Sequence, residues 1–301
     1  MSKPVFRAGS VHVRTPATSA NLGPGFDALG LALDLYDDVV AAVTDEGLSI
    51  DVAGEGEDLP RTEKHLVVKA MRATFDRLGG QPRGLELACA NRIPHGRGLG
   101  SSASAIVAGI LLARALVLGG DQELTLDDVL ALANEIEGHP DNVAACLLGG
   151  LTIAWRDEAR AHAVRVADVG GVLPVLAIPS FESSTKKARG LLPAEVPHAD
   201  AARNAGRSAL LVAALTGAPD ALFAATEDRL HQSYRVPAMR RSATLMERLR
   251  ASGHAAVISG AGPTVLTLAR DEVEVDAISR IIPETWITRV AHIADGAQIL
   301  N

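Results

Sequence analysis

Pro94-His95-Gly96-Arg97-Gly98-Leu99-Gly100-Ser101-Ser102-Ala103-Ser104 is the stretch on which the reading of the chain turns. Three glycines at alternate positions permit φ > 0 and let backbone approach a ligand closely. Successive N–H groups in such a loop form a concavity for anions. The text that follows, Ser102–Leu118, is rich in Ala, Leu and Ile, opens on serine and stops at Gly119-Gly120, so a helix is expected there. A helix starting at the loop adds unpaired N–H groups and the positive end of its dipole. Ser101, Ser102 and Ser104 add hydroxyls suited to a phosphate oxygen or a Mg²⁺-bound water. The loop matches neither GxGxxG nor GxxxxGK[ST], and no lysine follows Gly100. Charge neutralisation then falls to Mg²⁺ and to residues elsewhere. The rival local reading is a mobile glycine loop with a serine cap.

Working outward, Leu85, Leu87 and Cys89 alternate as a strand that runs into the loop. Val11–Arg14, Val39–Val43 and Leu48–Val52 also read as strands, and Leu66–Leu78 as a helix closed by Gly79-Gly80. A helix is expected over Leu126–Glu137, with Asp127 and Asp128 in its first turn. Leu151–Trp155, Ala163–Val166 and Val172–Ile178 follow as strands. Beyond them come helices over Ala201–Thr216, Pro219–Leu230 and Ala238–Ser252, and a strand at Ala255–Ser259. A glycine loop, a strand at Val265–Ala269, a helix over Glu272–Ile282 and a strand at Trp286–Val290 complete the pattern. Helices beside short strands, with few tight hairpins, imply an α+β fold. The text changes character near Ala167–Gly171, which predicts domains over 1–167 and 168–301.

Composition excludes several function classes. The 301 residues carry a formal net charge of −7, which argues against nucleic acid as the main partner. Two cysteines, Cys89 and Cys146, sit in apolar runs and read as buried thiols. Met1-Ser2-Lys3-Pro4 has no apolar run behind it, so no signal peptide is expected. The longest apolar stretch, Ile106–Leu118, is broken by Gly109 and Arg114 and is too short to span a bilayer. A cytoplasmic location without a membrane partner is therefore expected.

Four further segments carry polar chemistry. Thr15–Asp27 offers Asn21 and Asp27 to a ligand's hydroxyl and ammonium, or is a turn-rich connector. Glu135-Ile136-Glu137-Gly138-His139-Pro140-Asp141-Asn142 concentrates two carboxylates, an imidazole and an amide, and reads either as Mg²⁺ and acceptor ligands or as a solvated helix end and turn. Ser259–Thr264 is a bend or a second glycine loop. Phe181–Arg189 carries Ser183, Ser184, Thr185, Lys186, Lys187 and Arg189, positive charge suited to a phosphate or a carboxylate. A hydrolase with Ser101 or Ser102 as nucleophile is disfavoured, because no G-x-S-x-G elbow is present.

Together these segments resemble the GHMP kinase superfamily. Pro94, Gly98-Leu99-Gly100 and Ser101-Ser102-Ala103 are similar to its P-x-x-x-G-L-G-S-S-A loop, and Gly260-Ala261-Gly262-Pro263-Thr264 to its third motif. Within it, Thr18–Asp27, His139–Ala144 (H-x-D-N-V) and Ser184–Arg189 (S-T-x-x-A-R) resemble the branch that phosphorylates homoserine. Mevalonate and galactose kinases carry a basic residue near the position of Thr18. The resemblance implies a two-domain fold: an N-terminal mixed α/β nucleotide-binding domain and a C-terminal ferredoxin-like α/β sandwich. It implies transfer of phosphate from ATP to the side-chain hydroxyl of L-homoserine. Pro94–Ser104 would cradle the ATP phosphates. Ser101 or Ser102, with Glu137 or its rival Glu135, would hold Mg²⁺. Asn21, Asp27, His139 and Asn142 would line the acceptor pocket, with Asp27 on the ammonium. Arg189 and Arg235 would take the carboxylate, and Thr185 would sit near the transferred group. Asn142 would orient the hydroxyl, and Asp141 is the tempting general base. His65 replaces an asparagine that relatives often carry at the adenine side. A homodimer, common in the superfamily, is also implied. Another superfamily kinase, acting on a mevalonate-type alcohol, shikimate or a sugar, and a non-catalytic nucleotide- or metabolite-binding relative are the alternatives.

Overall fold

A computed structural model describes residues 3–158 and 160–300. Strands β1 (Ser10–Ala20) and β2 (Leu29–Thr44) pair antiparallel and form the spine of a first sheet. Strand β4 (Gly84–Asn91) pairs antiparallel with β2, and β3 (Gly47–Gly54) lies parallel to β4. The far end of β2 takes β5 (Leu151–Arg156), which pairs with β6 (Ala161–Arg165). Helices α1 (Leu66–Arg77), α2 (Ser101–Leu116), α4 (Leu126–Glu137) and α5 (Pro140–Leu148) cover one face, with the short α3 (Gly120–Glu123) between α2 and α4. α1 puts Val67, Met71, Thr74 and Phe75 on one stripe. α2 is buried almost all round, which fits its run of Ala, Ile, Val and Leu.

The second sheet has the order β10-β7-β9-β8, all antiparallel, from β7 (Leu173–Ile178), β8 (Ala255–Ile258), β9 (Val265–Ala269) and β10 (Ile287–Val290). Helices α6 (Thr185–Arg189), α7 (His198–Thr216), α8 (Leu222–Ala225), α9 (Gln232–Arg235) and α10 (Arg240–Ala251) separate β7 from β8, and α11 (Glu272–Ile281) separates β9 from β10. This is the β-α-β-β-α-β order of a ferredoxin-like layer. Its core lies against α10 and α11 on one side. On the other side Leu176, Leu211, Leu215 and Val257 join Leu22, Leu31 and Leu99 in one apolar cluster that spans both sheets. The α+β, two-domain expectation holds. The last strand, β11 (Gln298–Leu300), crosses back to pair with β1.

Several expected elements differ. Pro219–Leu230 is not one helix: a 3₁₀ turn at Pro219–Ala221 leads into α8, and the chain leaves helical geometry after Ala225. The Asp228 carboxylate accepts the N–H groups of Leu230, His231 and Gln232, and this competes with a continuous helix. Gly138 to Asn142 is not a free turn. Gly138, at φ 92°, ends α4, while Pro140 is the first residue of α5, so Asp141 and Asn142 belong to a helical first turn.

Candidate active site

The Gly96, Gly98 and Gly100 φ angles are 64°, 72° and 72°. Gly100 is the cap residue of α2, and no side chain caps the helix, so its first N–H groups lack a side-chain partner. The helix thus starts one residue before the expected Ser102. Gly96, Gly98, Gly100, Ser101 and Ser102 line a cleft of about 200 Å³. The rest of its wall is Asn21, Asp27, Glu137, His139, Asp141, Asn142, Ser183, Thr185, Arg189, Arg235 and the loop Gly260–Gly262. A second cavity of about 270 Å³ shares Ser101 and Ser102 with the first and runs past Ser104, His95, Lys64 and His65. The two meet at the start of α2. A bent ligand with its anionic part at the glycine loop could reach into both.

The remaining loop residues divide by role. Leu99 and Ala103 are buried core. Pro94 lines neither cavity. Arg97 turns away: its guanidinium donates to the carbonyls of Pro179, His95 and Ser180, and pairs with Glu182. It braces the loop against the segment that carries Ser183 and Thr185. Ser104 donates to Asp37 Oδ2 at 3.1 Å and bonds Thr15 Oγ1 at 2.7 Å. Burial pushes the Asp37 carboxyl up, against the pull of the Ile93 and Arg92 N–H groups and of Ser104. Asp37 therefore ties the start of the loop to the first turn of α2. Sequence reasoning missed it; an acid in the middle of an apolar strand was the available signal.

The expected carboxylates separate cleanly. Ser102 Oγ donates to Glu137 Oε1 at 2.5 Å, at the cleft wall. Glu135 points elsewhere and pairs with Arg77 at 2.7 Å on an exposed surface. The donor set offered to a metal is oxygen only, a hydroxyl and a carboxylate. That fits Mg²⁺, which takes one or two carboxylates plus phosphate and water oxygens.

Asn21, Leu22 and Asp27 have positive φ (67°, 48° and 54°), an uncommon geometry for residues other than glycine. Bonds from afar hold this loop. Asn21 Nδ2 donates to Gly260 O, and Asp27 N–H donates to Asn21 Oδ1. Asn204 Nδ2 and Ser208 Oγ both donate to Pro24 O, and His231 Nε2 donates to Gly23 O. The Asn21 amide is thus occupied at both ends, as a brace within the wall.

Arg189 makes a bidentate pair with Asp27, at 2.7 and 2.8 Å. Burial raises the Asp27 carboxyl, but the Arg189 hydrogen bonds and charge, with His139 and Arg235 beyond, outweigh it and hold the carboxyl below its ordinary range. Arg235 is 2% exposed. Its Nη1 donates to Gly260 O and to His231 Nδ1, both at 3.2 Å, and its Nε–H has no partner. Burial, then the charge of Arg189, lowers its pKa. A buried cation with no directly bonded carboxylate among the described residues, met by Asp27, Asp228 and Asp141 through charge alone, is costly unless an anion joins it.

Asn142 faces the glycine loop. Thr18 Oγ1 donates to Asn142 Oδ1 at 2.7 Å. His139 Nδ1–H and Asn142 N–H both donate to Asp141 Oδ1, and the Asp141 bond is the first cause of the raised His139 pKa, against burial. His65 is buried with both ring nitrogens unpartnered, and burial, then His95 and Arg61, pushes its pKa down. A neutral imidazole offering one donor and one acceptor in an apolar cavity suits a flat heterocyclic edge.

An anion cradle at a helix start, joined to a cleft lined with charges of both signs, defines a phosphotransferase-type site on a two-layer α+β fold. Comparison with known proteins narrows the class. The family described as GHMP kinases N terminal domain matches residues 65–150, and GHMP kinases C terminal matches 209–288. The chain is 61% identical to a homoserine kinase of Streptomyces avermitilis over 302 aligned positions, covering 100% of this chain and 99% of the relative. It is 47% identical to a homoserine kinase of Mycobacterium tuberculosis, covering 87% of this chain and 85% of that one. Among solved structures, a homoserine kinase of Cytophaga hutchinsonii superposes with a TM-score of 0.84 at 27% identity, covering 98% of this chain and 99% of the other. The chain belongs to the GHMP kinases, in the homoserine kinase branch. No helix among the described residues is long and apolar enough to cross a membrane.

Proposed function

We propose that the chain transfers the γ-phosphoryl group of ATP to the side-chain hydroxyl of L-homoserine, giving O-phospho-L-homoserine and ADP, a step of threonine biosynthesis. One observation carries the reading: a single cleft is lined by the glycine loop and the start of α2 together with Asn142, Asp27, Arg189 and Arg235. The loop and α2 hold the phosphates, and His65, in the joined cavity, meets the base. Arg189 and Arg235 take the acceptor carboxylate and Asp27 its ammonium, so an amino-acid zwitterion replaces the Asp27–Arg189 pair with two new ones. The acceptor oxygen bonds to the γ-phosphorus as the bond to the β–γ bridging oxygen breaks; ADP leaves and the hydroxyl proton passes to solvent. Loose transition states of this kind need positioning and charge stabilisation more than covalent help. Glu137, with Ser102 or Ser101, would hold Mg²⁺, which would supply charge neutralisation for the phosphates. Thr185 and Asn142 line the path between donor and acceptor. Residues 1–167 supply the phosphate loop, while residues 168–301 supply both arginines and Thr185.

A panel of acceptor alcohols, read by ADP release, tests this. Homoserine is expected to be turned over well above mevalonate, shikimate and galactose; equal or greater release with any of these refutes it. Glu137→Gln is expected to raise the Mg²⁺ concentration needed for half-maximal rate by about 10- to 100-fold, as loss of a ligand or its partner does. Glu135→Gln is expected to change it by less than about twofold, the weight of an exposed pair. A reversal of the two would reassign the metal. A cytoplasmic homodimer completes the reading, with sedimentation of the purified chain as the check on assembly.

A further inference from the structure

Two guanidiniums converge on one aromatic ring beside the cleft. The Arg189 Cζ lies 5.5 Å and the Arg235 Cζ 5.3 Å from the centroid of Phe26, over its ring. The His231 ring stacks on the same side chain, at 5.1 Å and 25°. Phe26 is half-buried and does not itself line the cleft, whereas both arginines do. Two like charges brought to one point repel, and only one is hydrogen-bonded to a carboxylate: Arg189 to Asp27, while Arg235 donates to a carbonyl and an imidazole nitrogen and meets the charges of Asp27, Asp228 and Asp141 without a direct bond. The quadrupole of an aromatic ring attracts a cation placed over it, so one ring can offset part of this repulsion for both.

We propose that Phe26 is a positioning residue for the acceptor carboxylate, its ring holding the Arg189 and Arg235 guanidiniums convergent through a cation–π contact with each. The inference rests on the reading that these two arginines take that carboxylate. His231 completes the support: it accepts from Arg235 on Nδ1 and donates to Gly23 O from Nε2, so ring and guanidinium are both held from behind. The side chain of residue 26 thereby sets affinity for the acceptor's carboxylate without touching it.

Steady-state kinetics of the full chain with MgATP test the proposal. Phe26→Leu is expected to raise KM for homoserine about tenfold, the loss of two cation–π contacts, with kcat and KM for ATP within about twofold by the same reckoning, since neither arginine serves the donor. Phe26→Tyr, which keeps an aromatic face, is expected to restore KM. Aminopropanol, the acceptor stripped of its carboxylate, should inhibit wild type and Phe26→Leu with equal Ki, because it cannot engage the arginines. An unchanged homoserine KM in Phe26→Leu overturns the proposal. So does a Ki for aminopropanol that rises in parallel, or a Phe26→Tyr variant as impaired as Phe26→Leu. If Phe26→Leu does not fold, Phe26→Met carries the same expectations. Failure of the parent reading would look different: the wild-type chain itself would not phosphorylate homoserine.

Discussion

Gly98→Ala is expected to abolish measurable phosphoryl transfer while leaving the chain folded. Gly98 sits at φ 72°, where an L-residue pays roughly 1–2 kcal/mol. An added Cβ would lie 2.4 Å from Ser259 O and 2.8 Å from Gly262 O, and both are backbone atoms. Neither can swing aside as a side-chain tip would. Ser259 Oγ also donates to Gly98 O and bonds Ser19 Oγ at 2.8 Å, so a shift at one loop propagates to the other and to β1. Displacement of a phosphate cradle by about 1 Å can cost about 100-fold in rate. The variant should therefore lose kcat/KM for ATP by at least about that factor, and MgATP should no longer raise its thermal midpoint as it raises that of the wild type. Gly119→Ala is the control. Gly119 has a similar φ of 79° with nothing within 4 Å, and it lies at the far end of α2. It should lose about 1–2 kcal/mol of stability for the same backbone reason and keep its activity. A Gly98→Ala variant with normal rates, or a Gly119→Ala variant as inactive as Gly98→Ala, would refute the argument.

How much of this was legible beforehand depended on whether the signal was local. The phosphate loop and the helices α1 and α4 were, because glycine spacing and apolar periodicity are properties of neighbouring residues. The sequence predicts β1 only over Val11–Arg14, although it runs to Ala20. Thr15 to Ala20 has the small polar composition of a turn, and Pro16 suggests a break. In the sheet the register shifts between Pro16 and Ala17, a bulge of the kind that admits proline. The expectation for β2 stops at Val39–Val43 because Asp34, Asp37 and Asp38 interrupt its alternation. Asp38 is nonetheless nearly buried: Arg14, Arg92 and His12 overcome the cost of burial and hold its pKa at about 2. The Asp27–Arg189 pair, 162 residues apart, has no local signature at all. Nor has the choice between Glu135 and Glu137. They are two positions apart on one helix, about 200° around its axis by helical geometry, so one faces the cleft and the other Arg77.

The same helical geometry bears on which residue handles the acceptor hydroxyl. Asn142→Ala is expected to lower kcat by about 10²- to 10³-fold, the scale of losing one oriented hydrogen-bonding group at a reacting oxygen. Asp141→Asn is expected to lower it by less than about tenfold, well short of the 10²–10⁴ that loss of a general base brings. Asp141 is 2% exposed, and its Oδ1 already accepts from the Asn142 N–H at 2.8 Å and from His139 Nδ1 at 2.9 Å. It sits in the first turn of α5, where a carboxylate serves the helix N-terminus. Asn142 has its carbonyl oxygen held by Thr18 beside Gly100, with its Nδ2 3.5 Å from Asp141 Oδ1, so the amide is fixed in the cleft wall next to the glycine loop. The two roles also separate by pH. His139 owes its raised pKa first to Asp141. A raised folded pKa stabilises the fold below the ordinary histidine value, and that stabilisation is lost as pH rises through the folded pKa. Asp141→Asn should remove it, bringing the His139 titration, followed by NMR, down toward its ordinary value, and should leave kcat flat across the same window. A kcat loss in Asp141→Asn larger than in Asn142→Ala, with normal KM for homoserine and an ionisation vanishing from the kcat profile, would make Asp141 the base.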